Sequence, residues 1–351
     1  MLFVENTIGG NVTVFDEAND YREVGELTFG GRILPDDICA NTDGTLLYAN
    51  GTYQPDYLEA DSDPERRRRL FMSDYDGKIS QAESKSKKHF HEMSSDQSVL
   101  VAFDTRSLEE VWRVDIRGHV GHMAITPDDR YVFNAVFDEF FTARVDTETR
   151  EVDYIPMPFN GGHGMAISHD GKRAYVGSIM MSELDIIDVA TGNINQRMLF
   201  PDNVRPFAFT RDGNTAYVQT SRFHGFHVFD VQGNRILRSI ALPPLPPGTP
   251  VIEAFPHTVD HGMALTPNED YLLALATTGN YLAIYSHPDL ELLGTVELGG
   301  EPSWIIVDHD GRTAYCSNRL TDDVSVVSIA DQRETKRFKA GSYPQRLWLT
   351  K

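Results

Sequence analysis

Residues 159–178 read FNGGHGMAISHDGKRAYVGS. An apolar run, GMAI, ends at an Asp-Gly turn at Asp170, and a second run, RAYVGS, follows it. Two short runs about such a turn form the pattern of an antiparallel strand pair. The phrase returns as RGHVGHMAITPDDRYVFNAV at 117–136 and as FPHTVDHGMALTPNEDYLLALA at 255–276. The turn after the first run falls at Asp43, Asp128, Asp170, Asp212, Asn268 and Asp310. The end of another apolar run falls at Asp16, Asp104, Asp146, Asp188, Asp230, Ser286 and Ser328. In both series the recurring step is 42 residues, and the longer steps are one period plus an insertion.

Each unit carries four short strands. Within 163–199 they read HGMAISH, KRAYVGS, ELDIIDV and NINQRML. Four strands per repeat of this length predict a β-propeller. One period before Asp43 lies Met1, and one period after Asp310 lies one position past Lys351. The C-terminal YPQRLWLTK is therefore predicted to be the inner strand of a blade whose other three strands are MLFVEN, NVTVFDE and YREVGELTF. Joining the ends in one sheet removes free edges. The expected fold is an all-β, seven-bladed propeller of four-stranded antiparallel blades. It forms a single domain over 1–351, with insertions at 51–95 in blade one and 243–256 in the loop leading to blade five. Residues 51–95 lack the inner-strand phrase, which argues against an eighth blade.

Phrases such as AYVGS, AYVQT and AYCSN, each after a turn and before a strand like LDIID or VSVVS, resemble the YVTN-repeat propellers. That family looks related to cytochrome d1-like and lactonase-like propellers. The resemblance implies the seven-bladed fold and leaves the activity open, because this architecture carries many functions. No Cys-x-x-Cys-His motif for covalent haem is present.

The chain has 32 Lys and Arg against 52 Asp and Glu, a formal charge of −20. Such a charge argues against nucleic acid and against anionic membrane surfaces as partners. The N-terminus has no basic segment before an apolar core, and no run is long enough to span a bilayer. Only Cys39 and Cys316 are present, far apart in the repeat, so no disulfide framework is expected. A reducing, cytoplasmic location fits these features. Oligomeric state is not readable.

Seven positions before each turn residue stand Asp36, Gly121, His163, Arg205, His261 and Ser303; one step on are Asp37, His122, Gly164, Pro206, Gly262 and Trp304. In the closing blade Gln345 and Arg346 occupy this region. These positions precede or begin the innermost strand, so they ring one mouth of the channel. His119 and His257 lie just upstream on the loops of the same face. Imidazoles meeting at one point suit a divalent transition metal (Zn, Mn, Fe, Ni or Cu), with His122, His163 and His261 as ligands. His257 and His119 are the candidate acid–base groups. Arg205 is a candidate catalytic and substrate-binding cation. Arg346, Trp304, His89 and His91 complete the expected substrate contacts. His169 and His309 sit in turns of the opposite face.

Both insertions emerge over the histidine mouth, where long loops commonly act as lids. The first holds eight of the 32 basic residues, among them Arg66, Arg67, Arg68 and Arg69. It forms a collar suited to a small anionic substrate. The expected function is a metal-dependent lyase, isomerase or lactonase-like hydrolase acting on a carboxylate or carbonyl compound. The alternatives are a non-catalytic ligand-binding or scaffold propeller and a copper or cofactor redox enzyme.

Overall fold

The computed structural model of the protein describes residues 1–30, 33–53, 97–249 and 258–350. These form 28 strands in seven four-stranded antiparallel sheets, with one short 3-10 helix at Glu17–Asn19. The sheets follow one another around a ring, so the fold is the expected seven-bladed propeller. The strand Pro344–Leu349 pairs with Leu2–Asn6, which continues through Asn11–Asp16 to Arg22–Thr28. Leu2 faces Leu349, Phe3 faces Trp348 and Val4 faces Leu347. The two ends of the chain thus close one sheet, as the repeat arithmetic requires. Among the described residues no helix is long and apolar enough to cross a membrane.

The core lies between neighbouring sheets rather than at the axis. Leu273, Leu275, Leu282 and Ile284 of blade five pack on Ile305, Ala314, Cys316 and Val327 of blade six. Both side-chain faces of the middle strands are buried, which is why runs such as YLLALA and VLVAF are apolar without alternation. Cys39 and Cys316 are both buried and unpaired.

The inner strands are Ile33–Ala40, Val120–Ile125, Gly162–Ile167, Val204–Phe209, Met263–Leu265, Pro302–Val307 and Pro344–Leu349. Six of them shift register at the same repeat position. The shifts span Pro35/Asp37, Val120/Met123, Gly162/Gly164, Val204/Phe207, Pro302/Trp304 and, opposite Val4/Asn6, Pro344/Leu347. In blade five the ladder starts only at Met263, after the equivalent residues. A bulge frees a residue from the ladder and re-aims its side chain. Here the freed residues include Asp36, His122, His163, Arg205, Ser303 and Arg346.

Side chains on the second strands, or just beyond their ends, satisfy the backbone that the bulges expose. Asn50 donates to the carbonyl of Gly121 at 2.8 Å, Thr277 to that of Pro302 at 2.8 Å and Ser317 to that of Gln345 at 2.8 Å. Gly262 N donates to Gln219 Oε1 at 2.9 Å. Each bond runs from one blade to the next, so the ring of bulges is also a ring of inter-blade ties. These backbone groups are paired, as burial demands.

Candidate functional site: a buried arginine among histidines

The bulged strands deliver three imidazoles to one point near the axis. The rings of His122 and His163 have centroids 4.2 Å apart; His261 lies 6.1 Å from His122 and 6.5 Å from His163. Repeat geometry therefore assembles residues that are up to 139 positions apart in the chain. Trp304 closes one side, edge-on to His122 at 5.1 Å. His119 stands off from this group, its ring packed on Phe137 at 6.0 Å. His257, His89 and His91 lie outside the described residues, as do residues 54–95 of the first insertion and 250–256 of the second. His169 and His309 are exposed in turns at the opposite mouth, as expected.

Arg346 is the centre of the site. It is 0% exposed. Its Cζ lies 3.8 Å over the ring of Trp304, and its Nη2 donates to Nε2 of His122. Its Nε is 3.4 Å from Oδ1 of Asp37. Its backbone N donates to Oε2 of Glu5 at 3.2 Å. Nη1 is buried without a hydrogen-bond partner, and so are Oδ2 of Asp36 and Oγ of Ser303. Unpaired buried polar atoms are costly and call for an explanation. With Arg346 Nε, four such atoms belong to three residues of the bulged inner strands, which marks this as the candidate site for a polar ligand or water. Arg205 donates through Nε to Ser221 Oγ at 2.7 Å, and its charge bears on both His122 and His163.

Electrostatics keep the histidines neutral. Burial, then the charge of Arg346, holds His122, His163 and His261 well below the usual imidazole range. Burial likewise lowers His119. The carboxyls move the other way. Burial pushes Asp36 up to about 7 and Asp37 up to about 6, with Arg346 opposing the rise in both. Glu5, also buried, is raised well above its ordinary value by burial and by Asp36. Asp37 accepts from Met123 N and Ile38 N, each at 2.8 Å. With these bonds and Arg346 beside it, Asp37 is the carboxylate equipped to remain ionised.

The arrangement bears on the expected metal. Nδ1 of His261 donates to the carbonyl of Ser303 at 2.7 Å, which leaves its Nε2 lone pair available. The Nε2 of His122, however, is taken by Arg346, whose fixed positive charge would repel a cation. Among the described residues no group of three or more His, Cys, Asp and Glu is arranged to hold a metal ion. As placed, these residues suit an anion or a polarised carbonyl better than a divalent cation.

Asp36 and Ser303 stood at ring positions in the repeat count but carried no assigned chemistry, and Glu5 was not on the ring at all. The adjacent pair Asp36-Asp37, at a position where other blades place His163 or Arg205, was the available signal.

No family model and no curated protein matches the chain. Solved structures do. The chain is similar to hydrazine synthase of Kuenenia stuttgartiensis at 18% identity, with a TM-score of 0.68 over 93% of this chain and 92% of that one. It is similar to the periplasmic gluconolactonase PpgL of Pseudomonas aeruginosa at 16% identity, with a TM-score of 0.70 over 100% and 98%. A functionally unknown protein of Desulfotomaculum acetoxidans matches at 11% identity and a TM-score of 0.70 over 99% and 98%. At these identities the likeness establishes the propeller fold alone.

Proposed function

We propose that the axial pocket binds a small anionic, carbonyl-bearing substrate and that the protein is a hydrolase of the lactone-opening type. The observation that carries this reading is a fully buried guanidinium with an unpaired N–H, set among three neutral imidazoles. Nη1 of Arg346 is a donor held in place by Trp304, Asp37 and His122, suited to the oxygen on which charge develops during attack. Arg205 adds a second cation from blade four. His163 is the least enclosed of the three imidazoles and takes the proton of the attacking water. Its basicity is low while the arginines face it alone. A bound anion offsets their charge and restores that basicity when the substrate is in place. The fold likeness to a gluconolactonase supports a lactone as the first compound class to test.

The test is pH-stat titration of acid release from a panel of aliphatic and sugar lactones, with wild-type protein and with His163→Gln. Turnover by the wild type and a loss of about 10²–10⁴-fold in the variant, with unchanged melting, are expected. Wild-type protein that opens none of the panel sets the reading aside.

A further inference from the structure

We propose that Asp36 is the proton donor to the departing oxygen in this reaction, a role that rests on the hydrolytic reading above. Three observations place it there. The shift between Pro35 and Asp37 lifts Asp36 out of the inner ladder of blade one, at the ring position that His163 and Arg205 hold in blades three and four. Its Oδ2 is buried and takes no hydrogen bond. The residue keeps partial exposure although Oδ2 itself is enclosed.

The neighbouring carboxyls are unsuited to the task. Asp37 is saturated by two backbone N–H groups and lies against Arg346. Glu5 is wholly enclosed, its oxygens taken by Thr7 Oγ1 at 2.9 Å and Arg346 N. The charged and titratable groups acting on Asp36 are Arg346 and Glu5 from blade seven and Asp37 from its own strand. His122 of blade two is bonded to that same guanidinium. Burial, with the charge of Asp37 alongside, favours keeping a proton on Asp36 against the pull of Arg346. A carboxyl that rests near half-protonation at neutral pH is matched to donating one.

The step balances as follows. Water oxygen bonds to the carbonyl carbon while His163 takes one of its protons. The ring C–O bond breaks, and the alkoxide oxygen takes the proton of Asp36. His163 then returns its proton to Asp36 through pocket water. The sum is lactone plus water giving the open hydroxy acid.

A leaving group that needs no proton separates this role from a structural one. In Asp36→Asn, kcat for a lactone opened by the wild type falls about 10²–10³-fold, while hydrolysis of p-nitrophenyl acetate stays within roughly threefold. Asp36→Glu, which keeps the acid, recovers a substantial part of the lactone rate. Equal losses on both substrates, or no loss on the lactone, overturn the proposal. Infrared difference spectra of wild-type protein against Asp36→Asn across about pH 7 form a second arm. A titrating protonated-carboxyl band confined to the wild type is expected, and its absence also overturns the assignment. Should the wild type open no lactone, the hydrolytic reading falls, and this second arm still decides whether Asp36 stores a proton.

Discussion

Replacing Arg346 by methionine tests the electrostatic organisation of the axial site. The substitution keeps an unbranched, largely apolar side chain in the enclosed site but removes the charge and the guanidinium that lies over Trp304. Asp37 is then left buried with two backbone donors and no cation. Breaking a buried ion pair from one side costs about 3–5 kcal/mol. The cost depends on pH in a definite direction. The pKa of Asp37 is already raised to about 6 with Arg346 present, and removing the guanidinium raises it further. A carboxyl raised on folding contributes stability that is complete below its unfolded pKa and is lost as pH rises through the folded one. The variant is therefore expected to lose about 3–5 kcal/mol at about pH 8. At about pH 5 Asp37 holds a proton, and the loss should shrink to about 1–2 kcal/mol. The histidines act in the same sense, since Arg346 contributes to holding all three down; without it they charge more readily in acid. Urea unfolding at the two pH values measures the difference. Asp37→Asn added to Arg346→Met should recover most of the loss at high pH. A penalty independent of pH, or no recovery in the double variant, would refute the pairing.

Elemental analysis of the purified protein should find no stoichiometric transition metal, and chelation should leave lactone opening unchanged; one metal per chain, lost together with activity, would reinstate the tri-histidine centre. His224 places Nδ1 3.0 Å from Asp260 Oδ1 and Nε2 2.8 Å from the carbonyl of Pro243, a setting that favours the protonated ring. Burial opposes the charge, but the bond to Asp260 raises the pKa of His224 overall. This tie is complete below the ordinary imidazole value and fades as pH rises through the folded one. The stability gap between wild type and Asp260→Asn should accordingly narrow from about pH 6.5 to about pH 8.5, and a gap that widens would contradict it. Deleting residues 344–351 removes the inner strand of blade seven with Leu347 and Leu349, each worth about 2–3 kcal/mol of burial, and opens the ring; a truncated chain that still unfolds cooperatively at the wild-type urea midpoint would refute the closure.

Much of the architecture is legible in the chain alone. The 42-residue step, the Asp-Gly turns and the apolar middle strands specify four-stranded blades, because a strand buried on both faces must be apolar throughout. The same step carries Leu2–Asn6 and Pro344–Leu349 into one sheet and gathers His122, His163 and His261. What the repeat leaves open is which side chain faces the axis. Side chains alternate along a strand, so one unpaired residue reverses that choice for its neighbours. Spacing placed Gln345 and Arg346 together at the mouth. It is the shift opposite Val4/Asn6 and the stacking on Trp304 that bring Arg346 to His122, across 224 positions of sequence. From the chain, the histidines read as ligands awaiting a cation. In three dimensions a guanidinium stands there, with Glu5, Asp36 and Asp37 around it, because closing the ring brings the first and last strands against the inner strand of blade one in one desolvated space.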